Sequence, residues 1–149
     1  SMVFHGGSDT AYGTGIRIEP AGGTVSNCVI RGCIVNGYWS SAAVYAAGTD
    51  ALVTHCVISN NASHTNKGGA GAYVDGGTLA NSLVTGNAFN GGGASDNGGV
   101  VSVQKGRVLN CTIAGNDVPY SCAGVYANGG EIVNCRQNIK KRGWCCAWC

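Results

Sequence analysis

Segments of one pattern recur along this 149-residue chain at a period of about 27 residues, and a chain built from like units must stack them to bury a core. Asn27-Cys28-Val29-Ile30, His55-Cys56-Val57-Ile58, Asn81-Ser82-Leu83-Val84 and Asn110-Cys111-Thr112-Ile113 align, and Asn134-Cys135 opens a fifth copy. Their second positions lie 28, 26, 29 and 24 residues apart. Three copies run on into Ser59-Asn60-Asn61, Thr85-Gly86-Asn87 and Ala114-Gly115-Asn116, while Cys33 stands where the first copy would carry its asparagine. Asparagine adopts left-handed backbone angles more readily than other non-glycine residues, so these positions read as corners.

Two further apolar segments precede each motif. Ile16-Arg17-Ile18, Val44-Tyr45-Ala46, Ala72-Tyr73-Val74, Val101-Ser102-Val103 and Val125-Tyr126-Ala127 alternate with period two, the pattern of a strand with one buried face. Thr24-Val25, Leu52-Val53, Thr78-Leu79, Val108-Leu109 and Ile132-Val133 form shorter pairs. Three short strands per period, with no helical pattern between them, predict a triangular coil of about five turns in which each strand pairs in parallel with its counterpart one turn along. Cys28, Cys56, Ser82, Cys111 and Cys135 then form one inward column beside Ile30, Ile58, Val84 and Ile113. Small thiols suit a narrow interior. The Asn-Gly pairs at 36–37, 90–91, 97–98 and 128–129 support a competing antiparallel sandwich, although hairpins do not require a repeat.

The phrases "GGTVSNCVIRG", "GAYVDGGTLANSLVTGN" and "GGEIVNC" resemble the glycine-rich repeats of right-handed parallel β-helix proteins of the pectin-lyase-like class, above all bacterial surface and autotransporter-passenger-like proteins. The resemblance implies an all-β solenoid from an exported or cell-surface protein. It is poor for function, because adhesins, polysaccharide lyases, glycoside hydrolases and structural segments share the fold. No signal peptide and no run long enough to span a membrane is present. The repeat covers about residues 12–135 of a β-helix domain, 1–135, and residues 136–149 form a different tail. Because the repeat is under way by Tyr12 with no helix before it, the first coil needs a cap or a second copy, as in a fragment or a self-associating small protein.

Charge follows the same division. Residues 1–135 carry five bases against all seven acids, and Arg136, Lys140, Lys141 and Arg142 supply the remaining positive charge. With 11% charged residues and no basic face, nucleic acid is not an expected partner. The tail, "RQNIKKRGWCCAWC", admits three readings: a cap or dimer contact using Ile139, Trp144 and Trp148, an extension that is not an evolved part of the fold, or a soft-metal site on Cys145, Cys146 and Cys149. No cofactor is otherwise expected.

Candidate functional residues come from the outward positions. Arg17, Tyr45, Tyr73, Ser102 and Tyr126 form a row whose tyrosines can stack on sugar rings or on one another. Val29, Val57 and Leu83 form an apolar row that a partner, a second copy or a loop would cover. Asp50 and Asp75 fall on adjacent coils at one corner, where two carboxylates would share a proton or hold a hard cation, or simply turn the chain. No catalytic residue of the lyases or hydrolases carries over to this sequence. The glycine clusters lack the lysine of a phosphate loop, and His5, His55 and His64 are not spaced as metal ligands. The reading is a non-catalytic structural or binding module with a glycan or protein ligand on the tyrosine face. The reading from a different class is a polysaccharide-cleaving enzyme or its remnant, with Asp50 and Asp75 as the acidic pair.

Overall fold

The computed structural model describes residues 2–5, 8–9, 14–36, 42–64, 68–90, 98–118 and 122–138. Every strand pairing among them is parallel, which removes the antiparallel sandwich. One sheet stacks Met2–His5, Cys28–Arg31, Val57–Ser59, Leu83–Thr85, Thr112–Ala114 and Arg136–Asn138 in that order. A second stacks Ser8–Asp9, Ile34–Val35, Ala62–Ser63 and Ala88–Phe89. The third stacks Ile16–Ile18, Val44–Ala47, Gly68–Ala80, Gly98–Leu109 and Cys122–Ala127, five levels that make four full turns from first to last.

Two features depart from the triangular expectation. The second sheet is a strand that the sequence pattern does not announce, because two residues are too few to show alternation. The paired segments expected as separate strands merge in Gly68–Ala80 and Gly98–Leu109, with irregular register between Val74 and Thr78. Gly76 and Gly106 absorb that bend with φ of 101° and 92°. Pairing also runs past both ends of the sequence repeat, from Met2 against Cys28 to Asn138 against Ala114. Residues 139–149, with Cys145, Cys146 and Cys149, lie outside the described residues.

The interior is a set of stacked columns. Ile30, Ile58, Val84 and Ile113 are buried in one, and each such side chain contributes about 1.5 to 3 kcal/mol of burial. Val53, Leu79 and Val108 fill another, and Phe89 lies against Gly98, where a Cβ would stand 2.6 Å from its ring. The motif's first position is the left-handed corner: Asn27, His55, Asn81, Asn110 and Asn134 have φ between 47° and 54°. A second left-handed column, Gly32, Asn60, Gly86 and Gly115, precedes the next sheet.

Beyond that second corner the asparagines have a different task from turning. Asn61, Asn87 and Asn116 point inward and form a buried amide ladder. Asn61 Nδ2 donates to Asn87 Oδ1 at 2.9 Å, and Asn87 Nδ2 to Asn116 Oδ1 at 3.1 Å. The same oxygens accept the backbone N–H groups of Asn61 and Asn87 at 3.0 and 2.9 Å, and the amide nitrogens also reach the carbonyls of Ile30, Ile58 and Val84. The corner N–H groups of Asn61 and Asn87, which lie outside the strands, are thereby paired. Cys33, which lacks an amide, ends the ladder by donating its N–H to Asn61 Oδ1 at 3.0 Å.

Candidate functional site

Register places the expected outward row as read from the sequence. Arg17 pairs with Tyr45, Tyr45 with Tyr73, Tyr73 with Ser102 and Ser102 with Tyr126. The row is not an open aromatic face, however, and this corrects the expectation. Tyr45 and Tyr73 are only 9% and 7% exposed and pack with Ala42 and Ala47 in a cluster separate from the main core. Their rings stack at 5.6 Å with 12° between planes, and the Arg17 guanidinium lies 5.7 Å from the Tyr45 ring centre. Arg17 is itself bridged to Glu19 at 2.7 Å. Ser102 is buried and donates to the Gly68 carbonyl, which leaves exposure to Arg17 and the half-buried Tyr126. Alternation shows which side of a sheet a residue takes, but not what covers that side.

The two aspartates share a corner on adjacent coils without facing each other. Asp75 pairs with Ala47 below and Lys105 above, and its carbonyl accepts the Gly48 N–H at 3.0 Å. Asp50 precedes Ala51, which pairs with Gly23, so the glycine bend displaces the two from common register. The base beside Asp75 is one the sequence reading missed, since Lys105 has no counterpart in other repeats. Among the described residues no three acidic, cysteine or histidine side chains converge as metal ligands.

Following the same strands past the tyrosine row, an open groove is lined by Thr49, Gly76, Thr78, Lys105, Gly106, Arg107 and Glu131. Its floor is backbone, because Gly76 and Gly106 carry no side chain. Its carboxylate is engaged: Arg107 Nε donates to Glu131 at 2.8 Å across one coil step. Asp50 and Asp75 contribute only their neighbours, Thr49 and Gly76. The groove therefore presents donors and a neutralised ion pair, suited to polar contacts with a ligand.

The outward apolar row is likewise in register, from Val3 through Val29 and Val57 to Leu83. Val29 and Val57 are half-buried, while Val3 and Leu83 are 52% and 37% exposed.

The two fully buried thiols of the inward column, Cys56 and Cys111, are poor nucleophiles. Burial raises the Cys56 thiol above its usual pKa and pushes Cys111 up to about 11, each opposed in part by two backbone hydrogen bonds. Below the ordinary thiol range, folded and unfolded chains alike keep Cys111 protonated. As pH rises from there to about 11, only the unfolded chain ionises, so the stability held in this raised pKa is present at neutral pH and lost across that alkaline window. Cys111→Ser, which copies Ser82 of the same column, should flatten this decline in urea-unfolding midpoints taken through the window. An unchanged decline would assign it to other groups.

No curated protein and no solved structure matches the chain. The family described as "Right handed beta helix region" matches residues 14–145, nearly the whole of the solenoid's length. Parallel pairing throughout, columns of like residues and this match agree: the chain belongs to the right-handed β-helix family.

Proposed function

We propose that the chain is a non-catalytic structural or binding module of an exported or cell-surface protein, and that it takes a glycan along the outer side of the third sheet. The observation that carries this reading is the groove lined by Lys105, Arg107, Glu131, Thr49 and Thr78, whose carboxylate is held by Arg107. An acid–base pair for polysaccharide cleavage has no support there, since Asp50 and Asp75 are out of register with each other and outside the lining. The sheet beneath is well packed, with Val101, Ser102 and Val103 fully buried, so the backbone under the site is held in place before a ligand arrives. The exposed Arg17 and the half-buried Tyr126, at the two ends of the row, lie on the same outer side of this sheet.

The test is a glycan array followed by titration calorimetry on the best neutral and acidic oligosaccharides. Lys105→Ala with Arg107→Ala should weaken binding at least tenfold, and Tyr126→Ala several-fold through lost stacking. Binding that neither variant changes, a complete lack of glycan binding, or chain cleavage of the bound oligosaccharide would each overturn the reading.

A further inference from the structure

The inward column reads Met2, Cys28, Cys56, Ser82, Cys111 and Cys135, so it contains two pairs of thiols on adjacent coils, separated by one serine. The cysteine side chains share one orientation. The Sγ of Cys28, Cys56, Cys111 and Cys135 lies 3.1, 3.2, 3.3 and 3.4 Å from the carbonyl two residues before it. The Sγ of Cys56, Cys111 and Cys135 also lies 3.7, 3.7 and 3.5 Å from a carbonyl of the coil below. Side chains that repeat in one orientation are separated by the strand spacing, so the sulfurs of a pair stand about 4.8 Å apart.

That separation discriminates between two kinds of thiol chemistry. A disulfide needs Cβ atoms roughly 3.5 to 4.5 Å apart, shorter than in-register parallel strands allow. Cys28, Cys56, Cys111 and Cys135, like Cys33, are free. Two metal–sulfur bonds in line, each on the scale of the zinc–thiolate bond of about 2.3 Å, cover about 4.6 Å, close to the strand spacing. Linear two-sulfur coordination is the preference of soft monovalent d10 cations, which thiolates and thioethers select. We propose that the thiol column holds two soft-metal sites, in each of which one Cu(I) or Ag(I) ion bridges cysteines of adjacent coils, Cys28 with Cys56 and Cys111 with Cys135.

On uptake two S–H bonds break, two metal–sulfur bonds form, and two protons leave to solvent with no change of oxidation state. Each pair has one half-buried and one buried thiol, so the ion enters at Cys28 or Cys135 and is held against Cys56 or Cys111. Ser82, buried between the pairs, prevents a continuous thiolate chain. A tetrahedral ion such as zinc would find too few ligands there, which sets the selectivity toward the two-coordinate ions.

The experiment is anaerobic titration of the full chain with Ag(I), with Cys145, Cys146 and Cys149 changed to Ser so that tail thiols do not contribute. Native mass spectrometry, thiolate-to-metal ultraviolet absorption and released protons are read together. Two ions per chain and close to four protons are expected. Cys56→Ser should leave one ion, Cys56→Ser with Cys111→Ser none, and Cys33→Ser the full two. Serine already occupies this column at Ser82, and Cys28→Ser and Cys135→Ser at the half-buried ends repeat the test should an interior variant not fold. Metal uptake that survives loss of both pairs, or a Cys28–Cys56 disulfide recovered after mild oxidation, would overturn the proposal.

Discussion

Replacing Asn87 with alanine is expected to cost about 4 kcal/mol, a large share of the 5 to 15 kcal/mol that holds an ordinary domain folded. The side chain is fully buried at the middle of the amide ladder. Its oxygen accepts the Asn61 backbone N–H and Asn61 Nδ2, and its nitrogen donates to Asn116 Oδ1 and to the carbonyls of Ile58 and Thr85. Truncation strands the Asn61 backbone N–H and one Asn61 Nδ2–H away from water, each at about 1 to 3 kcal/mol, and opens a cavity besides. Asn90→Ala, at an exposed position, should stay within about 0.5 kcal/mol. Urea unfolding of the two variants gives the comparison. Equal midpoints would mean that water replaces the amide and that the ladder is not what closes the corner.

Gly106→Ala should be nearly as damaging, for backbone reasons alone. Gly106 has φ of 92°, and an added Cβ would fall on the Gly77 carbonyl oxygen and within 2.7 Å of the Gly76 carbonyl carbon. Both are backbone atoms of the coil below and cannot rotate away, so the strands must part. Left-handed strain of about 1 to 2 kcal/mol adds to the cost of parting them, giving roughly 3 to 5 kcal/mol in all. Gly115→Asn provides the contrast: φ is 66°, Asn60 already occupies that column, and the new Cβ would meet Thr85 Oγ1 at 3.3 Å. It should cost less than about 1 kcal/mol, since asparagine tolerates these angles. Thermal melting of both variants decides it, and equal losses would show that the left-handed angle rather than the close approach sets the penalty. Gly106 also floors the groove, so its loss should weaken the proposed ligand together with the fold.

Sequence periodicity carried unusually far in this chain, because a solenoid repeats its environment every turn. The in-register columns of Cys28, Cys56, Ser82, Cys111 and Cys135, and of Ile30, Ile58, Val84 and Ile113, are visible as an alignment of the chain with itself. The match of Arg17, Tyr45, Tyr73, Ser102 and Tyr126 is equally legible. The second sheet was not, since Ile34–Val35, Ala62–Ser63 and Ala88–Phe89 have no residue type common to all three and are too short to alternate. Nor was the role of Asn61, Asn87 and Asn116: one residue separates a turning asparagine from a buried one, and composition is blind to that difference.

Parallel stacking, the coil period and the identity of the inward columns were determined by the sequence alone, through hydrophobic alternation repeated at fixed spacing. Tertiary structure decided the rest. Tyr45 and Tyr73 are closed rather than open because they stack on each other across adjacent coils and pack with Ala42 and Ala47, and Lys105 is the register partner of Asp75 because the pairing shifts after Val74. The thiols stand a strand spacing apart because all four adopt one orientation. Periodicity prescribes which residues share a level, whereas cover, bend and side-chain orientation arise only when the levels close on one another.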